Sequence, residues 1–76
     1  MAFHSTTAES IEVVVNGRVR AVPDGRTVQE LLIELELEPE VVVVERNGGI
    51  LSRARFAEVR LEAGDALEIV HIVGGG

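Results

Sequence analysis

Two Asn-Gly dipeptides, Asn16-Gly17 and Asn47-Gly48, sit between apolar, β-branched runs, and they constrain the fold more than any other feature of the chain. A two-residue hairpin loop that matches strand twist needs positive φ at both central positions, which asparagine and glycine tolerate best. Residues 11–15, before the first dipeptide, are apolar apart from Glu12, and residues 18–22 after it alternate charged and apolar. That spacing predicts one hairpin. The continuous apolar run 41–44, followed by Asn47-Gly48-Gly49 and then Ile50 and Leu51, predicts a second, with the valine run read as a buried strand.

Between the hairpins the period changes. Pro23-Asp24-Gly25 is a turn, and Thr27-Val28-Gln29-Glu30 has the Thr-x-x-Glu spacing of a capping box, so a helix starts there. Val28, Leu31, Leu32 and Leu35 recur at helical spacing and form one apolar stripe, and Pro39 ends the helix by about Glu38. Residues 52–61 read as a short helical turn or an irregular connection anchored by Phe56, Val59 and Leu61, and Ala63-Gly64-Asp65 turns into a last strand over 66–73. The expected class is α+β: a mixed sheet of four to five strands covered on one face by one main helix, with the first and last strands parallel. This arrangement is similar to the β-grasp, or ubiquitin-like, fold.

Composition removes most chemistries. Seventy-six residues make one domain, expected as a monomer, and its net charge of -6, from thirteen acidic against seven basic groups, repels phosphate backbones and anionic membranes. Two aromatics, Phe3 and Phe56, give no stacking platform for single-stranded nucleic acid. There is no cysteine, so neither a thiolate nucleophile nor a sulfur-rich metal site exists, and all seven basic residues are arginine, so there is no Schiff-base lysine. His71 has only His4 for company and lacks a metal-binding set. Glu34, Glu36, Glu38 and Glu40 read as a solvated helix face and a candidate electrostatic docking surface. No apolar stretch reaches the roughly 20 residues of a membrane helix, and residues 1–10 read as a mobile polar leader without a secretory signal, which points to the cytoplasm. The expected layout is a leader at 1–10, a folded domain at 11–73 and a flexible tail at 74–76.

The tail raises a specific possibility. An apolar strand, Ile69-Val70-His71-Ile72-Val73, runs straight into Gly74-Gly75-Gly76 and a bare carboxylate. Strand alternation puts Glu68, Val70 and Ile72 on one face and Leu67, Ile69, His71 and Val73 on the other. With Glu68 in water, Val70 and Ile72 form an exposed apolar strip beside the chain end, a candidate partner surface with Glu68 and His71. The alternatives are a strand buried on both faces, or a bulge that turns Val70 inward. Glycines without Cβ let backbone pass a narrow channel, so Gly74 and Gly75 suit threading into another protein's active site and Gly76 offers an unhindered carboxylate for activation. A frayed end, or a linker left by cloning, has the same composition.

The segments "VNGRVR", "GRTVQELL", "VVVVERNGGIL" and "EAGDALEIVHIVGGG" together resemble the ThiS family, the sulfur carriers of thiamin thiazole synthesis, over residues 11–76. One departure is Ser52, where many relatives have proline. The resemblance implies a carrier with no catalytic residues, bound cofactor or metal of its own. A ThiF-like enzyme would adenylate the Gly76 carboxylate using ATP and magnesium; a persulfide donor would supply the sulfur of a thiocarboxylate; thiazole synthase would take it. Three rival readings are the small subunit of molybdopterin synthase, whose relatives resemble "PPVAGG" near the end; a ubiquitin-like protein modifier; and a binding module with an idle tail.

Overall fold

The computed structural model describes residues 9–72. The expectations for residues 1–8 and for Val73, Gly74, Gly75 and Gly76 lie outside them. Five strands and one α-helix follow in the order β1 (Ser10–Val15), β2 (Arg18–Pro23), α1 (Val28–Glu34), β3 (Val42–Arg46), β4 (Gly49–Leu51) and β5 (Ala66–His71). Ser10 already belongs to β1, pairing with Pro23, rather than to the leader. The sheet order is β2-β1-β5-β3-β4, with β1 and β5 parallel and the other pairs antiparallel, so the mixed sheet has the higher of the two expected strand counts.

Both Asn-Gly pairs form the turns read from them. Asn16 and Gly17 have φ of 50° and 83°, and Asn47 and Gly48 have 53° and 89°. The closing pairs are Val15 with Arg18 and Arg46 with Gly49, so each loop has two residues and Gly49 belongs to a strand. Left-handed backbone at both loop positions matches the twist of the flanking strands. The reading of the valine run as a fully buried strand is corrected: Val42 and Val44 are buried, but Val43 between them is only half-buried. A helix covers only one face of this sheet, and four valines in a row fit a one-sided strand as well as a two-sided one.

Helix α1 begins as its sequence demands. The Thr27 Oγ1 accepts from the Glu30 N–H at 3.1 Å, while the Thr27 N–H donates to the Glu30 carboxylate at 2.9 Å and holds that carboxyl below the usual glutamate range. The first-turn N–H groups of Val28 and Gln29 donate to the carbonyls of Val59 (2.9 Å) and Phe56 (3.0 Å). Residues 52–61, which open on a short 3₁₀ turn at Arg53–Arg55, therefore serve as the helix's N-terminal partner, while Phe56, Val59 and Leu61 enter the core as expected.

The helix ends at Glu34, earlier than the proline suggested. Glu36 takes φ of 63°; its N–H donates to Ile33 O at 2.9 Å and that of Leu37 to Leu32 O at 2.9 Å. This is a Schellman closure with glutamate in the position glycine usually fills. It satisfies carbonyls of the last turn before Pro39 is reached, and Pro39 instead opens a 3₁₀ turn, Pro39–Val41. The four glutamates are all exposed but share no helix face: only Glu34 lies on α1, and it pairs with Arg26 at 2.7 Å.

The core lies between α1 and the sheet. Val28, Leu31 and Leu32 of the helix meet Val13, Val22, Val42, Val44 and Leu67 of the strands, with Phe56 closing one end and Leu35 packed partly buried at the margin. Asp65 is the buried charged side chain among the described residues, 5% exposed. Its carboxylate accepts from Arg46 Nε (2.9 Å), Asn47 Nδ2 (3.1 Å) and the Glu62 N–H (2.9 Å). Burial is the largest single influence and pushes its pKa up, but the Glu62 N–H, the Asn47 amide and the Arg46 guanidinium together outweigh it and hold the carboxyl below the ordinary aspartate range.

Candidate functional site

Strand β5 delivers the chain to its glycines, and its surroundings decide what is presented there. On one side it pairs with β3 from Arg46–Leu67 to Val42–His71, and the Ile72 N–H donates to Val41 O at 2.7 Å. On the other side the parallel pairing with β1 spans only Val14–Ala66 and Val15–Leu67. The register resolves the alternatives left by the sequence. Leu67 is buried under the helix, Glu68 is exposed on the opposite face, and Val70 and Ile72 are 57% and 44% exposed, so neither two-sided burial nor an inward bulge occurs.

The open face carries more than the strip read from β5. Val43 stands directly across from Val70, Glu45 across from Glu68, and Ile50, 73% exposed, across from Glu45. Val43, Glu45 and Ile50 were not singled out from the sequence. The signal was present in the two-residue loop at Asn47-Gly48, which sets Glu45 opposite Ile50. What was missing was the pairing of β3 with β5, separated by more than twenty residues. The resulting surface is apolar with two carboxylates directly opposed, an arrangement that costs stability in the isolated sheet.

His71 is not part of this surface. It lies on the helix-side face across from Val42, exposed at the rim of a shallow groove of about 300 Å³ between Leu35 and Leu37 beyond the helix and Val15 and Ile69 of the sheet. Among the described residues no three His, Cys, Asp or Glu side chains gather as a metal ion would require. No helix among them is long and apolar enough to cross a membrane. Among the described residues the open sheet face is thus apolar and acidic, and it includes the strand that precedes Gly74, Gly75 and Gly76 in the sequence.

The model of the ThiS family matches residues 8–76, nearly the whole chain and all of its tail. The chain belongs to the ThiS family. It is 46% identical over 63 residues to the sulfur carrier protein ThiS of Bacillus subtilis, covering 82% of this chain and 96% of that one. The crystal structure of the thiamine biosynthesis protein ThiS from Geobacter metallireducens superposes with a TM-score of 0.75 at 36% identity, covering 87% of this chain and 100% of that one. The β-grasp arrangement is therefore shared with solved ThiS proteins. The chain is also 38% identical over 66 residues to a thiazole synthase of Magnetococcus marinus, of which it spans only 20%. A second thiazole synthase, from Paramagnetospirillum magneticum, matches at 41% with the same 20% span. As a member of the ThiS family this chain is a small sulfur carrier of thiamin biosynthesis, acted on by enzymes rather than being one.

Proposed function

We propose that the Gly76 carboxylate is adenylated by a ThiF-like enzyme with ATP and magnesium, converted to a thiocarboxylate with sulfur from a persulfide donor, and spent by thiazole synthase. The observation that carries this reading is the distance along the chain between the sheet and the reacting group. The last backbone hydrogen bond of the described sheet is at Ile72, and four residues remain to Gly76. Fully extended, four residues reach at most about 14 Å. An enzyme that holds the carboxylate must therefore also meet the end of the sheet where β5 finishes, and the apolar surface of Val43, Ile50, Val70 and Ile72 is on a face that reaches that end. Docking energy gathered there positions a small reactive end that has little binding surface of its own.

Chemistry agrees with the residues present. With no cysteine or lysine in the sequence, an activated acyl carbon is the remaining place for this carrier to hold sulfur. Gly74 and Gly75 would pass through the enzyme's channel, and the absent side chain at Gly76 leaves its carbonyl open to attack. Thiazole synthase as the acceptor is supported by the two thiazole synthases that each match this chain over 66 residues. The proposed use of ATP and of these enzymes is in keeping with a carrier that works in the cytoplasm.

The test is intact mass of the protein after incubation with a ThiF-type enzyme, ATP, magnesium and a sulfide source. One oxygen exchanged for sulfur at the C-terminus is expected in the wild type. It should disappear on adding one residue after Gly76, which displaces the carboxylate, and on Gly75→Val, which adds a branched side chain where the tail must pass closely. Both variants should fold normally. Exchange of oxygen for sulfur in both variants at the wild-type rate would sink the proposal.

A further inference from the structure

We infer that Asn16 is a positioning residue for the tail, its side chain acting as one more rung of the sheet beside β5. The inference rests on the carrier chemistry proposed above. Strand β1 leaves the sheet at the Asn16-Gly17 turn, and its backbone pairing with β5 ends when the Asn16 N–H donates to Leu67 O at 2.8 Å. Beyond that point β5 has no strand on this side. The Asn16 side chain takes the place of one: its Oδ1 accepts from the Ile69 N–H at 2.7 Å and its Nδ2 donates to Ile69 O at 3.2 Å. A carboxamide carries the same donor and acceptor as a peptide group, so this pair continues the ladder by one step toward the chain end. With the Ile72–Val41 bond on the β3 side, β5 is then held from both sides to within three residues of Ile72.

The turn alone does not call for asparagine. Its φ of 50° is tolerated by glycine, aspartate and asparagine. Among these three, only asparagine has both a donor and an acceptor to offer Ile69. The molecule contains its own control. Asn47 occupies the matching turn position with φ of 53°, and its side chain also binds β5, but at the far end, accepting from the Ala66 N–H at 2.9 Å and donating to Asp65. One asparagine secures the start of the strand and the other the part that leads to Gly76.

Two variants test this. Asn16→Gly keeps the turn and removes both bonds; Asn16→Asp keeps the turn and the bond to the Ile69 N–H but sets a carboxylate oxygen against Ile69 O. Asn47→Gly is the comparison. Steady-state thiocarboxylate formation, with carrier concentration varied against a ThiF-type enzyme, separates kcat from KM, and amide exchange at Ile69 reports the local opening. Both Asn16 variants should exchange faster at Ile69 and lose about ten- to a hundredfold in kcat, the scale of a misplacement near 1 Å, with KM nearly unchanged because the docking face is intact. Asn47→Gly should lose thermal stability without losing kcat. Unchanged kcat in the Asn16 variants, or an equal loss in Asn47→Gly, would overturn the inference by showing a structural role only. Failure of the wild type to be converted would overturn the functional reading and this inference with it.

Discussion

Asp65→Asn changes little in shape, yet it should be among the more damaging single substitutions in this domain. The carboxylate accepts three hydrogen bonds, from Arg46 Nε, Asn47 Nδ2 and the Glu62 N–H, and only 5% of the residue is exposed. An asparagine must place its NH₂ where one oxygen was, so one donor then faces another, and the Arg46 guanidinium loses its charged partner. Hydrogen bonds to charged groups are worth about 1.5–3 kcal/mol, and water reaching the partly exposed Arg46 returns some of that, leaving an expected loss of about 2 kcal/mol. In a domain of this size that corresponds to about 8–15 °C in Tm. The pH dependence supplies a second reading. Because the folded-state pKa of Asp65 lies below its unfolded value, its contribution is fully present above the unfolded pKa and is lost as pH falls through the folded pKa. The gap between wild type and Asp65→Asn should therefore be widest near neutrality and narrow below about pH 4. Urea unfolding followed by far-UV circular dichroism between neutral and acidic pH measures both. Equal stability of the two proteins at neutral pH, or a gap that does not change with pH, would refute the reasoning.

Further outcomes follow from the same geometry. Glu36→Gly relieves a left-handed glutamate at the helix C-terminus and should raise stability by about 1 kcal/mol in thermal unfolding, with no effect on sulfur transfer. Glu68→Arg replaces the repulsion with Glu45 by attraction; it should stabilise the free domain by up to about 1 kcal/mol, less in high salt, while raising the KM for the activating enzyme if that face docks. Val70→Asp and Ile72→Asp should each leave the unfolding midpoint close to wild type while weakening the same enzyme's binding, and a lost thermal transition in both would show those side chains to be structural.

Local chemistry made much of this molecule legible in its sequence. The two Asn-Gly turns, the Thr27–Glu30 capping box, the stripe of Val28, Leu31, Leu32 and Leu35, and the outward direction of Glu68, Val70 and Ile72 each depend on neighbours within a few residues, where backbone sterics and periodicity act directly. The reading of Gly74, Gly75 and Gly76 rests on residue type and order alone and lies outside the described residues. Tertiary structure decided what depends on distant partners. Pairing of β3 with β5 brought Val43, Glu45 and Ile50 onto the surface that Val70 and Glu68 began, and it exposed one face of a valine run that sequence read as buried. The carbonyls of Phe56 and Val59 gave the otherwise ambiguous residues 52–61 a reason for their path, and a Schellman closure at Glu36 stopped the helix before its proline. Asn16 shows the division within one residue: its backbone torsion was readable from the dipeptide, whereas its side chain found Ile69, 53 positions away, only because parallel pairing with β5 placed an unsatisfied strand edge within its reach.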